Sequence, residues 1–115
     1  MMAGMGLSAA LVSDDLMFAS QLQAAMRRAG GSLALVVGDA VPQTDAVFVD
    51  LNRDTDRRIE LISTLRGARP QVSIVGFCHH AERRLRRRAL AAGATRIVNN
   101  GALQVVALRL AGVTT

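Results

Sequence analysis

A chain of 115 residues is one domain, long enough to bury a single core and too short for two. Half of the residues are apolar but only Phe18, Phe48 and Phe77 are aromatic, no apolar run approaches the roughly 18 residues of a membrane span, and the lone Cys78 excludes an internal disulfide framework and a structural zinc site. The formal net charge of +5 is unevenly placed, because Arg83, Arg84, Arg86, Arg87 and Arg88 fall within one six-residue window.

Residues 1–7 show no periodicity and are expected to form a flexible tail ahead of a single domain spanning residues 8–115. The first ten residues lack the basic stretch of a signal peptide, so the expected location is cytoplasmic. Residues 8–13 read as a first strand, followed by the acidic pair Asp14-Asp15. From residue 16 to 29, Phe18, Ala19, Leu22, Ala25, Met26 and Ala29 recur at helical spacing, and Gly30-Gly31 stops that helix. Residues 33–37 and 45–51 read as the second and third strands. The link between them, residues 38–44, contains Pro42 and has seven residues, where a parallel crossover normally takes a dozen or more with a helix. Seven extended residues reach at most about 25 Å, enough to recross the sheet as a loop. The helix that would usually cover this part of the sheet is therefore expected to be missing.

The third strand organises the chain. Ala46-Val47-Phe48-Val49 is a short apolar, β-branched run that delivers a carboxylate, Asp50, at its end, the edge at which open parallel sheets place their sites. Asp54 or Thr55 is expected to cap a helix running to about residue 67, with Ile59, Leu61, Ile62 and Leu65 as its buried stripe. Pro70 precedes a fourth strand at residues 72–77. Residues 82–92 form a helix whose Leu85, Ala89 and Ala92 share one face and whose arginines spread over the other. After Gly93 come a fifth strand at 95–98, a turn at 99–101 and a final helix at 103–110.

Three carboxylates, Asp14, Asp15 and Asp50, are thus expected near one crevice. Close like charges raise each other's pKa unless a divalent cation joins them, and the plainer reading is that they cap helices or bond the turn at 99–101. Cys78-His79-His80 lacks further ligands at metal spacing and reads as a loop with a packed thiol.

Ser13-Asp14-Asp15, Phe48-Val49-Asp50-Leu51 and Ala91-Ala92-Gly93-Ala94-Thr95-Arg96-Ile97-Val98-Asn99-Asn100, in that order and spacing, resemble a response-regulator receiver domain over residues 8–111. The resemblance implies a flavodoxin-like α/β three-layer sandwich with a five-stranded parallel sheet of order 2-1-3-4-5. It implies that Asp50 matches the family's phosphoryl acceptor. The Mg²⁺ ligands would be Asp50, the acidic pair and the backbone carbonyl of Asn52, the pair being Asp14 with Asp15, or Ser13 with Asp14 if aligned from Gly30. It also exposes departures. Cys78 stands where the family has a switch serine or threonine, Asn100 where it has a lysine, and Gly101 where it has a proline. An amide cannot supply the lysine's fixed charge against phosphoryl oxygens.

The expected molecule is therefore a degenerate, stand-alone pseudo-receiver that signals by protein–protein contact, is not an enzyme and requires no cofactor. The competing expectations are a phosphorylatable receiver using Asp50 and Mg²⁺, and a basic nucleic-acid-binding accessory protein. Arg83, Arg84, Arg86, Arg87 and Arg88 are expected either as a solvated helix face, as a dock for an acidic signalling protein, or as a nucleic-acid footprint without aromatic stacking. No membrane contact is expected. The missing helix is expected to bare the sheet around Leu33, Leu35 and Val37 or their neighbours, which a homodimer would cover.

Overall fold

Five apolar runs become five parallel strands in the computed structural model, which describes residues 6–79 and 82–112. In chain order these are β1 (Ser8–Val12), α1 (Leu16–Arg28), β2 (Ser32–Val36), β3 (Ala46–Asp50), α2 (Thr55–Ala68), β4 (Ser73–Cys78), α3 (Arg83–Ala92), β5 (Arg96–Asn99) and α4 (Asn100–Leu110). The sheet order is β2-β1-β3-β4-β5, the expected flavodoxin-like arrangement. The expected tail and His80 lie mostly or wholly outside the described residues.

Strand alternation divides the core into two layers. Ala9, Leu11, Ala46, Phe48, Val75 and Phe77 face α1 and α4, where Leu22, Met26 and Leu103 bury against them. Ala10, Val12, Val47, Val49, Ile74 and Cys78 face α2 and α3, meeting Ile59, Leu61, Ile62, Leu65 and Ala89. Central β3 is buried at every position, which explains why its sequence is continuously apolar instead of alternating. Fully burying each of these large aliphatic or aromatic side chains contributes about 1.5–3 kcal/mol.

The link between β2 and β3 carries no helix, as its length requires. The alternation of β2 decides which of the two expected sets faces the uncovered side, and it is the neighbours. Leu33 is buried and Leu35 partly buried, both on the α1 side, while the side lacking a helix receives Ser32, Ala34 and Val36. Two of those three are small or polar, and Val36 is buried in the same apolar cluster as Val41 from the link itself. Arg69 pins that link by donating to the carbonyls of Val41 and Pro42. Of the expected patch only Val37 stands exposed, so the motive for a covering second copy is much reduced.

Three local details differ from expectation. The turn at 99–101 is not formed; Asn99 ends β5 and its side chain accepts from the Ala102 amide, capping α4 directly. Neither Asp54 nor Thr55 caps α2 by side chain: Asp54 adopts a left-handed φ of 49° without a cap bond, and the Thr55 hydroxyl donates to the Leu51 carbonyl. β2 begins at Ser32, one residue earlier than its apolar run. Gly93, at φ 121°, closes α3 where the Arg66 side chain packs across it and donates to its carbonyl at 2.9 Å.

Candidate functional site

The C-terminal ends of β1 and β3 lie side by side, so the residues after them share one hollow of about 260 Å³. Asp14, Asp15, Asp50, Asn52 and Asn100 all line it, which is the convergence expected from the sequence. Arg53, Arg58 and His79 complete the wall.

Asp50 is only 7 % exposed, and its carboxylate accepts three hydrogen bonds from within the chain. The Ser13 hydroxyl donates to Oδ2 at 2.7 Å; the backbone amide and the side-chain amide of Asn52 both donate to Oδ1, at 2.9 and 2.7 Å. Ser13 is fully buried and is locked in turn, because its Oγ accepts from the Asp15 amide. Asn52 is likewise committed: its Oδ1 accepts from the His79 amide, and its Nδ2 also reaches Oδ1 of Asn100 at 3.3 Å. The Asn100 side chain lies 3.4 Å from the His79 ring. Asn100 therefore completes a neutral hydrogen-bonded chain where a lysine would place a charge.

The two readings of the acidic pair resolve by role. Ser13 meets Asp50, Asp14 meets Arg58, and Asp15 is the N-cap of α1, accepting from the Phe18 amide. Capping, the plainer expectation, thus holds for Asp15.

Arg58 was not singled out by the sequence reading, and it is the most consequential group in the hollow. It is 3 % exposed, and its Nη1 donates to the carbonyls of Asp50 at 2.9 Å and Val12 at 3.3 Å, while Nη2 lies 3.4 Å from Oδ1 of Asp14. The signal was present: Arg58, Leu61, Ile62 and Leu65 follow at i, i+3, i+4 and i+7, so the arginine occupies the buried stripe of α2.

A divalent cation, the ion that the fold implies, requires oxygen lone pairs arranged around a vacancy. Here donor hydrogens already address both oxygens of Asp50, a guanidinium addresses Asp14, and Asp15 serves its cap. Among the described residues no three His, Cys, Asp or Glu side chains are grouped as a metal would need. As arranged, the donor set does not fit such an ion.

Cys78 ends β4 and is 3 % exposed. Burial pushes its thiol pKa up, Arg86 opposes that shift and the charge of Asp50 adds to it. The raised pKa and the burial suit the packed thiol expected from the sequence.

The arginines of α3 divide into two groups. Arg86 donates to the Ile97 carbonyl at 3.0 Å, and Arg88 pairs with Asp56 at 2.6 Å, an exposed bridge worth at most about 1 kcal/mol. Arg83, Arg84 and Arg87 are exposed and form no ion pair or side-chain hydrogen bond among the described residues.

No protein-family model matches the sequence, and no curated protein does. Comparison of the fold with solved structures gives a consistent class: they are response-regulator receiver domains and CheY-like proteins. The chain is similar to the receiver domain of the TMAO respiratory system response regulator TorR, at 20 % identity and a TM-score of 0.78 over 90 % of this chain and 92 % of that one. It is similar to the CheY-like protein TadZ from Pseudomonas aeruginosa, at 21 % identity and 0.74 over 95 % and 96 %. It is also similar to a response regulator from Burkholderia pseudomallei carrying a phosphorylated aspartic acid and a calcium ion, at 19 % identity and 0.79 over 91 % and 66 %. The chain thus has the receiver fold, and no helix among the described residues is long and apolar enough to cross a membrane.

Proposed function

We propose that this chain is a receiver-fold signalling module that works by protein–protein contact and has no phosphoryl switch. The observation that carries the reading is the internal commitment of Asp50, whose two oxygens accept three hydrogen bonds from Ser13 and Asn52. Three of the carboxylate's four lone pairs are thereby committed inside the chain, and a nucleophile must give such bonds up to meet an incoming phosphorus. Cys78 is a buried thiol at the switch position and Asn100 is neutral, so neither of these two positions reads a phosphoryl group as a serine or threonine and a lysine would.

Acetyl phosphate or beryllofluoride with Mg²⁺ tests this directly. The intact mass and the melting temperature are expected to stay unchanged; a phosphoryl mass gain abolished by Asp50→Asn establishes the working receiver instead.

The docking surface in this reading is the exposed part of α3. Arg83, Arg84 and Arg87 have no internal use, and a rigid helix presents them together, which suits an acidic surface of a signalling protein. Changing all three to glutamate is expected to leave the fold intact and to abolish capture of an acidic protein partner from extracts of the native host. If the reversal leaves captured proteins unchanged but removes a salt-sensitive gel shift with DNA or RNA, the surface is a nucleic-acid footprint.

A further inference from the structure

We infer that the guanidinium of Arg58 is the resident cation of the acidic hollow, a tethered positive charge that takes the place of a divalent ion and shuts metal out. The inference deepens the reading of a receiver site without a phosphoryl switch, and it makes the hollow's charge balance independent of metal supply.

The geometry carries it. Arg58 projects from the first turn of α2 along the helix's buried stripe and ends between the C-terminal edges of β1 and β3. One nitrogen bridges the carbonyls of Val12 and Asp50, and the other faces Asp14. Two backbone carbonyls and a carboxylate are hard oxygen donors of the kind that a Mg²⁺ ion or its waters would meet. A guanidinium meets them equally well, because its planar fork holds several N–H donors and never loses its charge. At 3 % exposure the group is kept from water, so its charge is little screened and opposes entry of a second cation. Of the fourteen basic residues in the chain, Arg58 is the one found buried.

Titration of the full chain with Mn²⁺, followed by the electron paramagnetic resonance signal of the free ion, tests this without any phosphodonor. The native chain is expected to leave the ion free into the millimolar range. Arg58→Gln removes the charge while keeping a donor for one carbonyl; it is expected to bind Mn²⁺ at least about tenfold more tightly than the native chain, and Asp14→Asn in that background should abolish the gain. Arg58→Lys, which keeps the charge, is expected to remain refractory. Circular dichroism checks that each variant folds. Saturable Mn²⁺ binding by the native chain that Asp14→Asn or Asp50→Asn weakens overturns the inference, and so does a folded Arg58→Gln that gains nothing. Should Arg58→Gln not fold, the native titration decides alone. The readout is separable from the proposed function, since a chain that takes up Mn²⁺ can still refuse the phosphoryl group through Asn100 and Cys78.

Discussion

Replacing Arg58 with leucine is expected to destabilise the fold by about 3 kcal/mol, a fall of roughly 10–20 °C in the melting midpoint of a domain this size. Two opposing effects decide the sign. Exchanging a buried ion for a well-packed hydrophobe is often neutral or favourable, because it abolishes the desolvation cost of the charge. That gain requires both partners to be replaced. Here the partners are the carbonyls of Val12 and Asp50, which no side-chain change removes, and the Asp14 carboxylate. Leucine leaves all three in place without their shared donor, at a cost of about 1–3 kcal/mol for each buried group. The Asp14 share is discounted, since its side chain is 39 % exposed and water can replace the guanidinium. The two carbonyls therefore dominate. Lysine is expected to fall between arginine and leucine, because one ammonium cannot span the sites that the fork spans. Urea midpoints for the three proteins check the order, and a leucine variant as stable as the native chain shows that the guanidinium contributes nothing net.

The same residue marks the limit of what the sequence disclosed. The five strands were legible because each is a short β-branched or aliphatic run bounded by turn residues, and the missing helix was legible because seven residues cannot supply one. Asp50 was legible as the acid ending the most apolar strand. The face of β2 was read less well: its link to the chain's other strands puts Leu33 and Leu35 toward α1, and that parity follows from the register with β1, which a single sequence does not display. Arg58 is not legible in the same way, because an arginine beside an apolar stripe fits the exposed edge of the stripe as well as its buried line. Only the tertiary approach of Val12 and Asp50 gives it partners. Ser13 is a similar case, since its bond to Asp50 spans thirty-seven positions and depends on the pairing of β1 with β3.

Asp50→Ala is expected to cost about 2–3 kcal/mol, and Asp50→Asn about 1 kcal/mol, as seen in the same unfolding measurements. Alanine removes the acceptor of the Ser13 hydroxyl and of the Asn52 backbone amide, and leaves the Asn52 side-chain amide only its longer contact with Asn100, in a place where Asp50 itself is only 7 % exposed. Asparagine keeps an acceptor toward the two Asn52 donors. Its own amide then faces Ser13 Oγ, which can accept it only by turning its hydrogen elsewhere while still receiving the Asp15 amide. The order Asp, Asn, Ala thus follows from counting donors, and Asn52→Ala should be non-additive with Asp50→Ala by about 1–2 kcal/mol, since both remove the same bonds. The order also separates two histories of the site. A carboxylate held for chemistry is commonly retained at a cost to stability, so that its removal is neutral or stabilising. A carboxylate that ties β1, β3 and the loop after β4 together must destabilise when removed. The proposed function puts Asp50 in the second kind, and a stabilised Asp50→Ala chain would place it in the first.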